Sequence, residues 1–251
     1  MSKTIERFSN RVENYVKYRP GYPPQVIELF RAEMNLTPES VVADIGSGTG
    51  ISAKVFLENG NVVYGVEPNR AMRRAAEEFL REFTRFESVD GTAENTALPD
   101  AAIDFVTAAQ AFHWFDHART ANEFRRILRP GGYVALVWNE RELDSNDFLR
   151  EYENFLKKYG TDYEKVRHDK LERAVFERSF QAPFSHATFP NAQTVDFEGL
   201  KGRALSSSYM PAENDAAFAP MVADLARLFA KYAENGKIQI LYSTNVYYTR
   251  L

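Results

Sequence analysis

Short apolar runs rich in β-branched residues recur along the first half of this chain, at 41–45, 62–66, 86–89, 103–109 and 133–138. Such runs, bounded by turn residues, read as strands buried on both faces. Between them residues 51–59, 70–83 and 118–128 read as helices, and another over 24–34 precedes the first run. Asn69 is placed to cap the helix that opens at Arg70. Arg129-Pro130-Gly131-Gly132 carries both usual helix terminators ahead of the fifth strand. Strands alternating with helices specify a parallel sheet with helices on both faces, and right-handed crossovers leave few topologies.

Beyond Asn139 the alternation fails. Phe148, Leu149, Tyr152, Phe155, Leu156 and Tyr159 fall at helical spacing within 147–159. A further helix over 171–180 carries mixed charges, and a sixth strand is expected near 184–189. Residues 195–209 and a helix over 218–232 form a second region outside the sheet, and a long final strand covers 238–248. We expect these helical regions to form a lid on a single domain. Residues 1–35 would supply a cap and the first helix, 36–140 the core, and 141–251 the lid insertions and last strands.

The chemistry begins where the first strand ends, in Asp44-Ile45-Gly46-Ser47-Gly48-Thr49-Gly50. Alternating glycines allow a tight turn and close approach of backbone to a ligand, with a helix N-terminus beside it. A Walker A loop would end in Gly-Lys-Ser/Thr, and no lysine occurs before Lys54 in this helix. A dinucleotide fingerprint would need glycine where Ile51 stands. The arrangement suits a ligand with an amino-acid tail, with Asp44 holding the turn's amides and, directly or through water, an ammonium group. The second strand ends in Glu67, about 20 residues further on, where a carboxylate accepts from both ribose hydroxyls and repels a 2′-phosphate.

Asp44 to Gly50, with the elements that follow, resembles the first motif of the class I S-adenosylmethionine (SAM)-dependent methyltransferases. The Leu-Arg-Pro-Gly-Gly turn before the fifth strand is a second hallmark, and matching segments run in order from Asp44 to Trp138. The resemblance implies a Rossmann-like, doubly wound α/β fold with seven mostly parallel strands, the last inserted antiparallel beside the fifth. It further implies that Asp44, Gly46, Ser47, Gly48, Glu67, Pro68 and Gln110 hold SAM. Met72 would lie against the adenine, and Thr92, Ala93 and Glu94 along its edge. Many relatives carry an acid at the position of Thr92, which leaves the partner of the adenine amino group open between Thr92, Glu94 and main chain.

Gln110-Ala111-Phe112-His113-Trp114-Phe115 follows the fourth strand, in a position where open α/β sheets bind ligands. Aromatic faces attract a cation such as a sulfonium, and an imidazole titrating at about 6.5 can serve as base or orienting group. The N-terminal Tyr15-Val16-Lys17-Tyr18-Arg19-Pro20-Gly21-Tyr22-Pro23 is similar to the opening of the trans-aconitate methyltransferase-like, small-molecule branch. In that branch the segment folds over the cofactor pocket. Tyr15, Tyr18, Arg19, His113 and Trp114 are therefore expected to meet at the acceptor, with Arg19 suited to a carboxylate.

The whole chain of 251 residues has 44% hydrophobic residues, no cysteine and a formal net charge of −4. No disulfide framework or thiolate metal site can form, and His113, His117, His168 and His186 lack metal-ligand spacing. The acidic balance argues against nucleic acid, and no run is long enough for a membrane span. The expectation is a cytoplasmic enzyme moving a methyl group from SAM to a small-molecule acceptor, a carboxylate or a hydroxyl. A SAM-binding sensor without transferase activity stays open beside it, and an NAD-dependent dehydrogenase conflicts with Ile51.

Overall fold

The structure is a computed structural model and describes residues 17–161, 163, 173–207 and 209–251. In chain order its elements are α1 (Gln25–Met34), β1 (Val41–Ile45), α2 (Ile51–Glu58), β2 (Val62–Val66), α3 (Arg70–Phe79), β3 (Phe86–Val89) and β4 (Ile103–Ala109). There follow α4 (His117–Ile127), β5 (Leu128–Arg141), α5 (Asp147–Tyr159), α6 (Arg173–Phe180), β6 (Ser185–Val195), α7 (Phe197–Leu205), α8 (Phe218–Tyr232) and β7 (Ile238–Arg250). The strands form one sheet in the order β3-β2-β1-β4-β5-β7-β6. Pairings from β3 through β5 are parallel, and β7 runs antiparallel to both β5 and β6. This is the seven-stranded, doubly wound sheet with an antiparallel last strand that the pattern predicts.

Alternation along the strands sorts side chains onto two cores. Val42, Val63, Phe105, Ala135 and Val246 pack with Phe30 and Met34 of α1 and with Phe56 of α2. Ala43, Ile45, Val66, Val106 and Leu136 face the other way, toward Phe124 and Ile127 of α4 and Phe176 and Phe180 of α6. A third cluster joins α5, α7 and α8 to the paired ends of β6 and β7, through Leu149, Leu200, Leu225, Ile240 and Tyr242. Strand order reverses at β1, between β2 and β4, so their carboxyl ends open a crevice.

Three boundaries depart by four residues or more from the sequence reading. Helix α3 stops at Phe79, because Leu80 caps it and turns inward at 1% exposure to pack beside Gly50. Strand β5 begins at Leu128, ahead of the Pro-Gly-Gly turn, because Leu128 already pairs with Ile103 and a register shift absorbs the turn. Strand β6 runs on through Pro190 to Val195, pairing β7 throughout. Proline is tolerated there because β6 is the sheet edge and needs no ladder donor on its outer side. Among the described residues no helix is long and apolar enough to cross a membrane, and no cluster of three or more His, Asp or Glu is placed to hold a metal.

Candidate cofactor and acceptor site

The glycines of the first turn serve three different purposes. All adopt positive φ: Gly46 at 68°, Gly48 at 55° and Gly50 at 83°. A Cβ on Gly46 would stand 2.7 Å from Cβ of Ala111, and one on Gly50 would stand 2.6 Å from Leu80. Those two let the β4 loop and α3 close against the turn. A Cβ on Gly48 would meet nothing within 4 Å, because this residue borders an open cavity of about 570 Å³.

Glu67, at the end of β2, bridges this turn to the next helix. Its Oε2 accepts from the Gly48 amide at 3.1 Å and its Oε1 from the Asn69 amide at 2.8 Å. Burial pushes its pKa up, opposed by those two amides and by the Arg73 guanidinium. Arg73 donates to the Glu67 carbonyl at 2.7 Å and to Asp90 at 2.7 Å, fixing the ends of β2 and β3 together. Asn69 caps α3 as expected, accepting from the amides of Ala71 and Met72. That capped first turn sets Met72 on the cavity wall.

The turn after β3 is held from behind. Thr92 and Asn95 exchange backbone hydrogen bonds of 3.0 and 3.2 Å. Glu123 of α4 accepts from the amide and hydroxyl of Thr96 at 2.8 and 2.7 Å. The hydrogen-bonded Arg126 guanidinium holds the Glu123 carboxyl down at about 2. Glu94 accepts from the Asp116 amide at 2.9 Å, which ties this turn to the aromatic loop. Gln110 sits in the left-handed region at φ 57° and donates from its side chain to the Asn139 carbonyl at 3.0 Å. A non-glycine residue held there beside a cavity is a strained position of the kind found at functional sites.

Gly46, Ser47, Gly48, Glu67, Pro68, Met72, Thr92, Ala93, Glu94 and Gln110 all border this one cavity, together with Arg19, His113 and Trp114. Asp44 does not. It is fully buried beneath the turn, accepting from Ser52 at 2.5 Å and Thr107 at 3.2 Å. Burial raises its pKa to about 6 despite both hydroxyls. In this structure its carboxylate therefore braces β1, α2 and β4 and does not reach the cavity directly, one of the two routes, direct or through water, by which the sequence reading had it meet a ligand ammonium.

The acceptor side departs further. Tyr18 does not border the cavity: its ring lies on α7, where a Cβ on Gly202 would stand 2.1 Å from Cδ2 and Cε2. A glycine on a helix surface leaves a side-chain-free seat for an aromatic ring, and Tyr18 takes it. Tyr22 borders the cavity in its place. Tyr15 lies outside the described residues. Arg19 donates to the Ser206 carbonyl at 3.3 Å. The N-terminal segment is anchored across the sheet end by Asn139 and Asn191, which donate to the Gly21 carbonyl at 3.0 and 2.9 Å, and by Gln193, which donates to the Tyr18 carbonyl at 2.9 Å.

Sequence reasoning missed the opposite wall. Tyr152 and Leu156 of α5, Arg203 of α7, and Tyr163, Ser207 and Tyr209 all border the cavity, with Arg141 at the end of β5. Tyr152 fits the apolar spacing of α5 and reads as core. Arg203 did carry a signal: no acid stands three or four residues to either side of it, whereas Lys201 has Glu198 at that spacing.

Residues 43–136 match the family model described as a methyltransferase domain. An uncharacterized methyltransferase of Mycobacterium bovis is 38% identical over 137 residues, 54% of this chain and 53% of that one. The chain thus spans about half the length of that curated relative. In solved structures the likeness extends further. A chain provisionally named a type II methyltransferase, from Anaeromyxobacter dehalogenans, superposes with a TM-score of 0.68 at 24% identity, over 93% of this chain and 98% of that one. Another, from Anabaena variabilis and provisionally named a methyltransferase from an antibiotic biosynthesis pathway, gives 0.65 at 25% identity, over 94% and 99%. The fold is that of the Rossmann-like methyltransferases, and the matched segment carries the first turn, Glu67 and the aromatic loop.

Proposed function

We propose that this protein transfers a methyl group from SAM to a small-molecule acceptor, in the manner of the trans-aconitate methyltransferase-like branch. The observation that supports this most directly is the convergence of the ends of five strands, β1 to β5, on one cavity that also borders an aromatic and tyrosine-rich wall. The residues present suit SAM. The open space at Gly48 admits a ligand against backbone, and Glu67 keeps lone pairs beyond the two used by amides.

Glu67 would hold the ribose hydroxyls, Met72 the adenine face, and the Thr92-Ala93-Glu94 turn the adenine edge. The glycine turn, whose Gly46, Gly48 and Gly50 amides are held within the protein, would lie against the amino-acid tail, supported from below by Asp44. The cofactor supplies a methyl group on a cationic sulfur. The chain's task is alignment of that centre with the acceptor and exclusion of water. Trp114 and Tyr22 border the cavity and would offer their aromatic rings to a cation there. A carboxylate acceptor needs no base. A hydroxyl acceptor would give up its proton to His113, whose ring lies 4.8 Å from that of Trp114 and borders the same cavity.

Calorimetric titration with SAM, S-adenosylhomocysteine and NAD is the first test, with binding of the first two alone expected. Acceptor-dependent formation of S-adenosylhomocysteine over a panel of small acids and phenols is the second. SAM binding with no turnover across the panel would favour a sensor, and NAD binding would overturn the reading altogether.

A further inference from the structure

Several described arginines meet an acid. Arg141 pairs with Glu153 and also donates to the Tyr163 hydroxyl at 3.0 Å, and Arg73, Arg126 and Arg129 pair with Asp90, Glu123 and Asp104. Arg203, on the cavity wall, does not. Among the described residues its guanidinium donates only to the Tyr242 hydroxyl at 3.3 Å and the Ser207 hydroxyl at 3.4 Å. Both contacts are long and neutral, so among the described residues no acid balances its charge, and the cavity it borders leaves room for an anion to do so. The groups around it are phenols, those of Tyr152, Tyr209 and Tyr242. Burial lifts Tyr152 to about 12, against the pull of Arg203 and Arg141, so its hydroxyl stays protonated and able to donate.

We propose that Arg203 is the residue that reads the acceptor, holding the carboxylate of a monoanionic acid whose apolar body packs on Tyr152, Leu156 and Tyr209. The planar fork of the guanidinium matches a carboxylate in two parallel hydrogen bonds. One cation without an acid partner among the described residues suits one carboxylate. Arg19, the guanidinium singled out by the sequence, is engaged with the Ser206 carbonyl. The assignment of this acid as methyl acceptor rests on the function proposed above, whereas recognition of the carboxylate by Arg203 does not.

The test uses the full chain with benzoate, cinnamate and octanoate as probes, against benzamide, cinnamamide and octanamide, titrated with and without S-adenosylhomocysteine. At least one acid should bind the unaltered protein, and its amide should bind far more weakly. Arg203→Met should lose roughly ten- to a hundredfold in affinity for that acid, with affinity for S-adenosylhomocysteine unchanged. Arg203→Lys should fall between, keeping the charge and losing the fork. Binding of no acid, equal binding of acids and amides, or an acid preference that survives in Arg203→Met overturns the proposal. If Arg203→Met does not fold, the acid–amide comparison and Arg203→Lys decide it. Absence of S-adenosylhomocysteine binding in the unaltered protein counts against the methyltransferase reading alone.

Discussion

The amide of Gly48 donates to Oε2 of Glu67 across 3.1 Å, joining the first turn to the end of the second strand. These residues bind one another before they bind anything else, so the Glu67 carboxylate is oriented in advance by two backbone donors. Preorganisation of this kind lowers the ordering cost of taking up a ligand.

Glu67→Ala should therefore weaken SAM binding by roughly 1.5–3 kcal/mol, the scale for hydrogen bonds to a charged group. Calorimetry on the folded variant would check this. Unchanged affinity would remove Glu67 from the cofactor site.

Asp44 predicts a pH dependence of stability. Its pKa rises from 3.8 to about 6 on folding, so between those values the native state binds more protons than the unfolded chain. Stability contributed by protonated Asp44 is full below about pH 4 and is lost as pH rises through 6, by on the order of 3 kcal/mol. Asp44→Asn lacks that slope. Denaturant unfolding of both proteins from pH 4 to pH 7 should show the variant gaining on the parent, and parallel curves would refute the assignment.

Gly202→Ala places a methyl group 2.1 Å from the Tyr18 ring. The ring must leave its seat on α7, and overpacking of this sort costs roughly 1–3 kcal/mol. Gly21→Ala, where a Cβ meets nothing within 4 Å, should change stability by less than about 0.5 kcal/mol. The pair of unfolding midpoints isolates the Tyr18 contact from a general sensitivity of the N-terminal segment.

Trp114 is 40% exposed, and its truncation should cost the fold little. Trp114→Ala is expected to unfold within about 0.5 kcal/mol of the parent while losing turnover by at least about tenfold if its face meets the reacting centre. Steady-state kinetics beside a denaturation curve would separate the two effects. Full activity would place the acceptor elsewhere along the wall.

Sequence alone determined the sheet, the turn and most of the residues that line one wall of the cavity. Apolar runs such as 103–109 and the glycines at 46, 48 and 50 are local signals, because strand burial and positive φ act on the residues that carry them. Capping of α3 by Asn69 was legible for the same reason. Only tertiary structure decided the opposite wall. Arg203 and Glu67 stand 136 residues apart in the numbering, and the missing acids around Arg203 say only that no helix neighbour pairs it, not that it faces a cavity. Asp44 illustrates the converse. Its place before the glycines marks the turn, but burial beneath Ser52 and Thr107 made it a brace, since those hydroxyls come from α2 and β4 and meet it only when the sheet is assembled. Tyr18 turned from cavity to helix because Gly202 offered it a flat seat, a complementarity between two segments that neither one encodes by itself.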